Sequence, residues 1–289
     1  MNIRVIPRLD IKGPNLVKGI HFEGLRVLGK PERFARYYYE HGADELIYMD
    51  VVASLYERNS LHDIITRTSR EIFIPLTVGG GLRSIDDIRS VLRAGADKVA
   101  LNTEAIRRPE LIREAARMFG SSTILISIEA KKRPDGSYEA YTDNGRVRTG
   151  VNVFEWAVRV AELGAGEILL TSIDREGTGA GYDVEMTRKV AESVPIPVIA
   201  CGGAGCFEHV GEVIVQGKAD AASMASIFHY DCILHQHMDD NYSAEGNITF
   251  LKGGREFTKV RGVTLAAIKG HLSQLGVICR PTPKETAYA

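Results

Sequence analysis

The sequence has 289 residues, of which 44% are hydrophobic and 25% charged, a composition that excludes disordered and fibrous proteins. Its 36 basic and 37 acidic residues give a formal net charge of -1, so no long-range field attracts nucleic acid or an anionic membrane. A charge interrupts the N-terminal apolar stretch and no run of ~18 apolar residues occurs, which predicts a cytoplasmic protein without a membrane span. The four cysteines form no CxxC pair, and we expect neither a metal nor a cofactor.

Short aliphatic runs alternate along the chain with longer segments of helical periodicity, and this pattern predicts a βα array. The segment 109–120, for example, opens with Pro109 and closes with Gly120, which are typical helix boundaries. The strand candidates are residues 5–9, 45–50, 74–78, 98–101, 123–128, 167–172, 198–200 and 219–223.

The second half of the sequence repeats features of the first half at a shift of roughly 120 residues. Residues 9–12 (Leu-Asp-Ile-Lys) match residues 128–131 (Ile-Glu-Ala-Lys), and the glycine pair at 80–81 matches the pair at 202–203. Two halves of four βα units predict a (β/α)8 TIM barrel with a twofold internal repeat, as a single domain over residues 1–289. A duplicated doubly wound sheet is the alternative, but the sequence has no dinucleotide-binding glycine fingerprint.

Three segments depart from the repeating pattern. Residues 132–150 carry two turn signals around an aromatic run and predict a small hairpin after the fifth barrel strand. Residues 230–262 are polar and rich in His, Asp, Asn and Gly, and we interpret them as an insertion on the catalytic rim. The tail, residues 281–289, is predicted to be flexible.

Asp10 and Glu129 occupy equivalent positions in the two halves, at the predicted carboxyl ends of the first and fifth barrel strands. A (β/α)8 barrel carries its reacting groups at this face, so the two carboxyl groups are candidates for a general acid and a general base. The alternative is that each only pairs with a following lysine, Lys12 or Lys131. Lys18 is either a clamp for an anionic group over the mouth or an exposed lysine.

Glycine-rich turns follow the third and seventh predicted strands, at residues 79–81 and 202–205. Such turns let backbone N–H groups approach a phosphate, although tight turns need glycine for conformational reasons as well. Small or polar residues follow the next strand in each half, at 102–103 after the fourth strand and 225–226 after the eighth. We call each glycine-rich turn, together with these residues, a phosphate cup. Two cups related by the repeat predict an elongated ligand with a phosphate at each end.

Charged residues at the predicted strand starts should gather at the opposite, N-terminal end of the barrel. They comprise two cations and two anions, namely Arg4, Glu45, Lys98 and Glu167. The sequence leaves two interpretations open, a salt-bridged structural plug and a gate.

Several ordered stretches resemble the HisF family, the cyclase subunit of imidazole glycerol phosphate synthase, over nearly all of residues 1–230 and in the last helix. They include Ile6-Pro-Arg-Leu-Asp10, Pro75-Leu-Thr-Val-Gly-Gly-Gly81, Gly164-Ala-Gly-Glu-Ile-Leu-Leu-Thr-Ser-Ile-Asp174 and Gly202-Gly-Ala-Gly205. The resemblance implies a barrel that takes ammonia from a glutaminase docked on its N-terminal face. It further implies that the ammonia converts a bisphosphorylated formimino aminoimidazole carboxamide ribonucleotide to imidazole glycerol phosphate and an aminoimidazole carboxamide ribotide.

The resemblance also assigns roles to individual positions. It implies catalysis by Asp10 and Glu129, and it favours a gate over a plug for the ring of Arg4, Glu45, Lys98 and Glu167. The substrate and phosphate contacts that it implies are Lys18, in loop one, and Gly81, Asn102, Thr103, Thr171, Glu176, Gly177, Gly203, Ala225 and Ser226.

Departures from the family pattern concentrate on the catalytic face. The family has aspartate at the positions of Glu129 and Glu176, and cysteine at the position of Arg8, whose guanidinium could act on Asp10 or clamp an anion. These changes support a rival hypothesis, a HisF-like subunit that channels ammonia for amidation of a sugar nucleotide in surface-polysaccharide synthesis. A non-catalytic channel or scaffold subunit is a third hypothesis. We favour the cyclase because both acidic positions and every phosphate position keep usable chemistry.

Overall fold

A computed structural model describes residues 2–53, 61–235 and 260–283. The strands in these residues are β1 (Arg4–Lys12), β2 (Asn15–Ile20), β3 (Glu23–Gly29), β4 (Leu46–Asp50), β5 (Leu76–Gly79), β6 (Lys98–Leu101), β7 (Ile124–Lys132), β8 (Tyr138–Thr142), β9 (Val147–Asn152), β10 (Glu167–Ser172), β11 (Val198–Cys201) and β12 (Ala221–Met224). The helices are α1 (Pro31–Glu40), α2 (His62–Ser69), α3 (Ile85–Ala94), α4 (Thr103–Arg107), α5 (Glu110–Phe119), α6 (Val153–Glu162), α7 (Val184–Ser193), α8 (Phe207–Val215), α9 (Ser226–His235) and α10 (Leu265–Gln274). In the part of the chain that is described, none of the helices has the length and apolarity needed to cross a bilayer.

Eight parallel strands of the described residues form a closed barrel in the order β1, β4, β5, β6, β7, β10, β11 and β12. The parallel pairing of β12 with β1 and of β10 with β7 completes the circle. Both faces of such a sheet are covered, which explains why its strands are short, nearly continuous apolar runs. Each predicted strand overlaps one of the eight, and the (β/α)8 prediction is confirmed.

Side-chain alternation along the strands separates two apolar layers. In β1, Val5 and Leu9 pack outwards against the helices, whereas Ile6 belongs to an inner cluster with Leu125 and Leu169 of other strands. Because successive side chains of a strand point to opposite faces, Arg8 shares the inward direction of Ile6. The barrel interior therefore receives charged side chains from β1 as well as apolar ones.

Helix α3 illustrates how local sequence fixes the surrounding ring of helices. Ser84 caps its start, accepting a hydrogen bond from the Asp87 N–H at 3.1 Å while the Asp87 side chain accepts one from the Ser84 N–H at 3.0 Å. The helix ends at Gly95, whose φ of 119° suits glycine. A Cβ atom there would lie 2.3 Å from Ser69 Oγ, so glycine also permits close packing on α2.

The segment after β1 differs from the loop that the family resemblance implies. Strands β2 and β3 form an antiparallel hairpin that continues from β1, with Asp10 opposite Val17. Val17 is 1% exposed and belongs to the inner cluster of the barrel, so burial stabilises the hairpin over the mouth. We call β2, β3 and their turn the covering hairpin.

The three segments that interrupt the sequence pattern have different positions in the fold. Residues 132–150 contain β8, antiparallel to both β7 and β9. Residues 230–235 of the predicted insertion are the end of α9, and 236–259 lie outside the described residues. Within the predicted flexible tail, 281–289, Thr282 is 3% exposed and packs against Gly42; residues 284–289 lie outside the described residues.

Candidate active site

Asp10 and Glu129 lie on opposite sides of the barrel mouth, because β1 and β7 are separated by three strands in either direction. Each residue is only 3% exposed. Neither is paired with the following lysine as the alternative interpretation required, since Asp10 contacts Arg8 and Glu129 accepts a hydrogen bond from the Gly145 N–H at 2.7 Å. The twofold repeat thus presents two buried carboxyl groups to one mouth.

Arg8 lies at the centre of this mouth. Its Nε donates to Asp10 Oδ1 at 2.8 Å, and its Nη1 lies 3.4 Å from Thr171 Oγ1 and 3.7 Å from Cys201 Sγ. The ring of Phe22 lies above it, with the ring centre 5.2 Å from Cζ. Burial is the largest single effect and lowers the pKa of Arg8, but Asp10, Cys201 and Glu129 together outweigh it and the pKa is raised. The arginine therefore joins three barrel strands and the covering hairpin through one buried cation.

Glu129 has the protonation behaviour of a general acid. Burial raises the pKa of its carboxyl group from 4.5 to about 7, against the opposing effects of the Arg8 charge and the hydrogen bond from Gly145. A carboxyl group with this pKa is partly protonated at neutral pH and can give its proton to a leaving group. Asp10, in contrast, is held against a cation, so the two carboxyl groups have different environments.

The covering hairpin is held onto the mouth by Glu176. The Glu176 carboxylate pairs with Lys18 of β2 and accepts a hydrogen bond from the Phe22 N–H at 3.1 Å. The backbone O of Glu176 also accepts from the His21 N–H at 3.1 Å. Lys18 is 5% exposed, so the interpretation of an exposed lysine is wrong. Phe22, 3% exposed, approaches Gly145, and the hairpin reaches across the mouth toward β7.

The first predicted cup borders an open cleft, which we call the first cleft. Its lining includes Gly81, Asn102, Thr103 and Glu129. Asn102 donates from Nδ2 to the Tyr141 O at 3.3 Å, while its buried Oδ1 has no partner among the described residues. Polar groups at this cleft thus converge beside one of the two carboxyl groups.

The second predicted cup borders a narrow cleft, which we call the second cleft and which includes Asp10 and Glu176. The predicted cup residues in its lining are Gly177, Gly203, Ala225 and Ser226. A Cβ atom on Gly203, where φ is 112°, would lie 2.1 Å from the Gly181 O, so this turn needs glycine for its shape whether or not a phosphate binds. Thr171 is fully buried beside Arg8 instead of lining this cleft.

The opposite end of the barrel carries the ring of four charges. Arg4 Nη1 lies 2.8 Å from Glu45 Oε1 and 2.7 Å from Glu167 Oε1. Lys98 Nζ lies 3.1 Å from Glu45 Oε2 and 3.0 Å from Glu167 Oε2. Each cation bridges both carboxylates, and the four side chains close a ring as predicted from their positions at strand starts. We call this arrangement the four-residue ring.

Hydroxyl groups occur inside the barrel between the four-residue ring and the mouth. Thr77, Ser127 and Ser223 are at most 2% exposed, and their side-chain oxygens have no hydrogen-bond partner within the described part of the chain. Most of their inner neighbours are apolar. Such hydroxyl groups are costly to bury without a partner, so they provide sites for a small polar molecule.

Comparisons with known proteins agree with this geometry. A family model described as "Histidine biosynthesis protein" matches residues 4–233. Over 207 residues, the chain is 58% identical to the "Imidazole glycerol phosphate synthase subunit HisF" of Legionella pneumophila, covering 72% of the chain and 98% of the relative. The chain belongs to the HisF family. A second HisF relative, from Alkaliphilus metalliredigens (strain QYMF) and bearing the same name, is 48% identical over 228 residues, which are 79% of this chain and 90% of the relative.

Several residues around the mouth were missed by the sequence reasoning. Asp143 contacts Thr103 and lines the first cleft together with Arg83 and Arg107, while Phe22 covers Arg8. The turn containing Asp143 is visible in the sequence, but its folding back onto the first predicted cup is a tertiary contact without a local signal. Among the described residues, there is no cluster of three or more groups that could hold a metal ion.

Proposed function

We propose that the protein is the cyclase subunit of an imidazole glycerol phosphate synthase, the activity for which its HisF relatives are named. It uses ammonia to convert the bisphosphorylated formimino aminoimidazole carboxamide ribonucleotide to imidazole glycerol phosphate and aminoimidazole carboxamide ribotide. The observation that carries the proposal is the pair of clefts, each with a glycine-rich turn, the first bordered by Glu129 and the second by Asp10. This arrangement suits a substrate with a phosphate at each end and its reacting atoms between them.

In this proposal each end of the substrate is bound locally. Backbone N–H groups near Gly81 hold one phosphate with Asn102 and Thr103, and those near Gly203 hold the other with Ser226. Local binding is consistent with the net charge of -1, which provides no general attraction for a polyanion. Lys18 and Glu176 hold the covering hairpin over the substrate and exclude water.

The two carboxyl groups divide the proton transfers. Asp10 accepts a proton from the attacking nitrogen as ammonia adds to the formimino carbon. Glu129, partly protonated at neutral pH, gives a proton to the departing amine as the linkage is cleaved. The added nitrogen then closes the ring on the sugar-derived carbonyl carbon, whose oxygen leaves as water. The placement of the carboxyl groups on opposite strands supports this division, because one group can serve the nucleophile and the other the leaving group.

Ammonia reaches the mouth through the barrel in this proposal. The four-residue ring is the entrance, and the unpaired hydroxyl groups of Thr77, Ser127 and Ser223 offer hydrogen bonds along an otherwise apolar path. Neutral ammonia can use such a path, whereas the ammonium ion would have to lose its hydration shell. The resemblance-based interpretation of the ring as a gate is therefore the one we adopt.

The subunit names of the relatives imply a partner, and we propose a glutaminase bound at the N-terminal face of the barrel. Large apolar side chains at this end support a docking surface, because the barrel helices return there at their C-terminal ends. They are Phe73, Met118, Val215, Leu275 and Ile278, which are between 48% and 80% exposed. Location in the cytoplasm, and the lack of nucleic-acid or membrane binding, stay predictions from the sequence.

The presence of Arg8 in the mouth favours a second candidate function, in which the protein supplies ammonia for amidation of a sugar nucleotide. The arginine occupies the mouth beside Asp10, where it changes the environment in which the acceptor must react. This candidate keeps the ring, the path and the glutaminase but uses a different acceptor.

A steady-state assay separates the two candidates. The full chain is mixed with the bisphosphorylated ribonucleotide and ammonium salt at alkaline pH, where free ammonia is plentiful, and both products are quantified by liquid chromatography. The proposal predicts equimolar release of imidazole glycerol phosphate and the ribotide without any glutaminase. No turnover by a folded sample contradicts the cyclase, and ammonia-dependent amidation of a sugar nucleotide by the same sample would establish the second candidate instead.

A further inference from the structure

One nitrogen of the Arg8 guanidinium is buried without a hydrogen-bond partner among the described residues. Its side chain is 2% exposed. Nε is bonded to Asp10 and Nη1 has long contacts to Thr171 and Cys201, but Nη2 is buried without a hydrogen-bond partner in the residues that the structure describes. A guanidinium carries five N–H groups, and leaving those of Nη2 unpaired inside a protein is unfavourable. Nη2 is thus a buried donor that an acceptor next to Arg8 would satisfy.

Arg8 borders the second cleft, together with Asp10, Glu176, Gly203 and Ser226. Both acidic groups in this set already have cationic partners, since Asp10 pairs with Arg8 and Glu176 pairs with Lys18. An anion in the second cleft would therefore meet backbone N–H groups on one side and a guanidinium on the other.

The shape of the guanidinium fits a double role. Its planar fork can donate from Nε to one acceptor and from Nη2 to a second acceptor on the same edge. The Asp10 contact uses Nε, and the Phe22 ring covers the face of the group, so the group is fixed in orientation before a ligand arrives. A fixed donor loses little conformational freedom on binding, which favours affinity.

We propose that Arg8 is a specificity-determining substrate ligand, whose Nη2 binds a phosphate monoester oxygen of the acceptor in the second cleft while Nε stays on Asp10. Naming the acceptor rests on the proposed function, whereas the phosphate site itself does not. The arginine then links phosphate binding to the placement of the Asp10 carboxylate. A substrate without this phosphate would leave Arg8 incompletely bonded and would be discriminated against.

The test uses inorganic phosphate as the probe and backbone amide NMR of the full chain as the readout. Phosphate is titrated while the amide signals of Gly203 and Ser226 report the second cleft, and those of Gly81 and Asn102 report the first. The informative comparison is Asp10→Asn with the double variant Arg8→Met/Asp10→Asn, because neither leaves a carboxylate buried without its cation. Lys12→Met, an exposed lysine at the end of the same strand, is the matched control for loss of a positive charge.

We expect the double variant to bind phosphate at the second cleft roughly tenfold or more weakly than Asp10→Asn, the loss typical of one charge-assisted hydrogen bond. The first-cleft signals should give the same affinity in both proteins, and Lys12→Met should match the wild type at both clefts. Equal second-cleft affinity in the two variants, or no response of Gly203 and Ser226 in the wild type, would overturn the proposal.

Turnover provides a second readout that depends on the proposed function. In Arg8→Lys, a single ammonium group cannot reach Asp10 and a phosphate in the same way, so KM for the bisphosphorylated ribonucleotide should rise roughly tenfold with a smaller change in kcat. A fall in kcat with unchanged KM would contradict a ligand role. If the wild type itself does not turn over, the proposed function fails while the NMR comparison still decides the role of Arg8.

Discussion

Arg8 Nε donates to Asp10 Oδ1 at 2.8 Å from a position two residues earlier on the same strand, and both side chains are almost completely buried. Residues i and i+2 of a strand share a face, so β1 carries this ion pair into the barrel mouth by itself. Removing one partner of a buried ion pair leaves an uncompensated charge, and this costs more stability than replacing both partners with uncharged residues.

The first prediction concerns the stability of this pair. Arg8→Met should lower the free energy of unfolding by about 3 kcal/mol at pH 7, because the Asp10 carboxylate loses its cation in a buried site. The double variant Arg8→Met/Asp10→Asn should recover most of that loss. Urea denaturation monitored by circular dichroism measures both values, and equal destabilisation of the single and double variants would show that the pair is not coupled.

The second prediction is a pH dependence at Glu129. Its folded pKa of about 7 lies above 4.5, so between these values the folded chain keeps a proton that the unfolded chain has lost. The contribution of Glu129 to stability therefore falls as the pH rises from about 4.5 to about 7, and the penalty is fully present above that window. Glu129→Gln removes the penalty, and its stability relative to the wild type should rise between pH 5 and pH 8 by on the order of 3 kcal/mol at most.

Glu139 provides a control of opposite sign for this experiment. A hydrogen bond from Arg133 lowers the pKa of Glu139 to about 2, so its stabilising contribution is complete above the unfolded value and is lost only in stronger acid. The stability difference between Glu139→Gln and the wild type should be constant between pH 5 and pH 8. A flat difference for Glu129→Gln as well would contradict the raised pKa of Glu129.

The third prediction tests the four-residue ring. Lys98→Met removes one of the two cations that bridge Glu45 and Glu167. We expect turnover driven by glutamine and a bound glutaminase to fall roughly tenfold, or about 1.4 kcal/mol, with a much smaller change in turnover driven by free ammonia. Lys189→Met, which breaks the exposed pair with Glu185 on α7, should change neither rate. Equal changes in both rates would instead favour the structural plug.

The fourth prediction concerns the covering hairpin. Glu176→Gln weakens the buried pair with Lys18, so the hairpin should open more often. Hydrogen exchange followed by mass spectrometry should show faster exchange of the backbone amides of β2 and β3, by roughly tenfold if about 1.4 kcal/mol is lost. Glu185→Gln on the exposed surface is the control. Unchanged exchange in Glu176→Gln would mean that apolar contacts such as those of Phe22 hold the hairpin alone.

The barrel and its ring of charges could be predicted because their signals are local or repeated. Aliphatic runs mark the strands, and the repeat relates Asp10 to Glu129. The alternation of side chains along β1 places Arg4 on the inner face of the barrel. These signals do not require knowledge of which distant groups touch.

The covering hairpin could not be predicted because its turn has no glycine signal. His21 and Phe22 both have positive φ, at 50° and 62°, where glycine, asparagine or aspartate is usual. The turn between β8 and β9 also has positive φ at Asp143 and Asn144, but there the sequence carries the expected Asp-Asn-Gly signal. The closure of Phe22 over Arg8 and the bonding of Gly145 to Glu129 are tertiary contacts between distant segments, which no sequence window contains.

If Asp10 and Glu129 perform proton transfer on a bisphosphorylated substrate held between the two clefts, loss of the Asp10 carboxylate must stop turnover without preventing binding. The most direct measurement is the ammonia-dependent rate of imidazole glycerol phosphate release by Asp10→Asn, beside the wild type and Lys12→Met, with substrate binding measured on the same samples. We expect turnover by the wild type and Lys12→Met, and a loss of at least roughly a hundredfold in Asp10→Asn with substrate affinity largely kept. Turnover by Asp10→Asn at the wild-type rate would exclude Asp10 from the proton transfers.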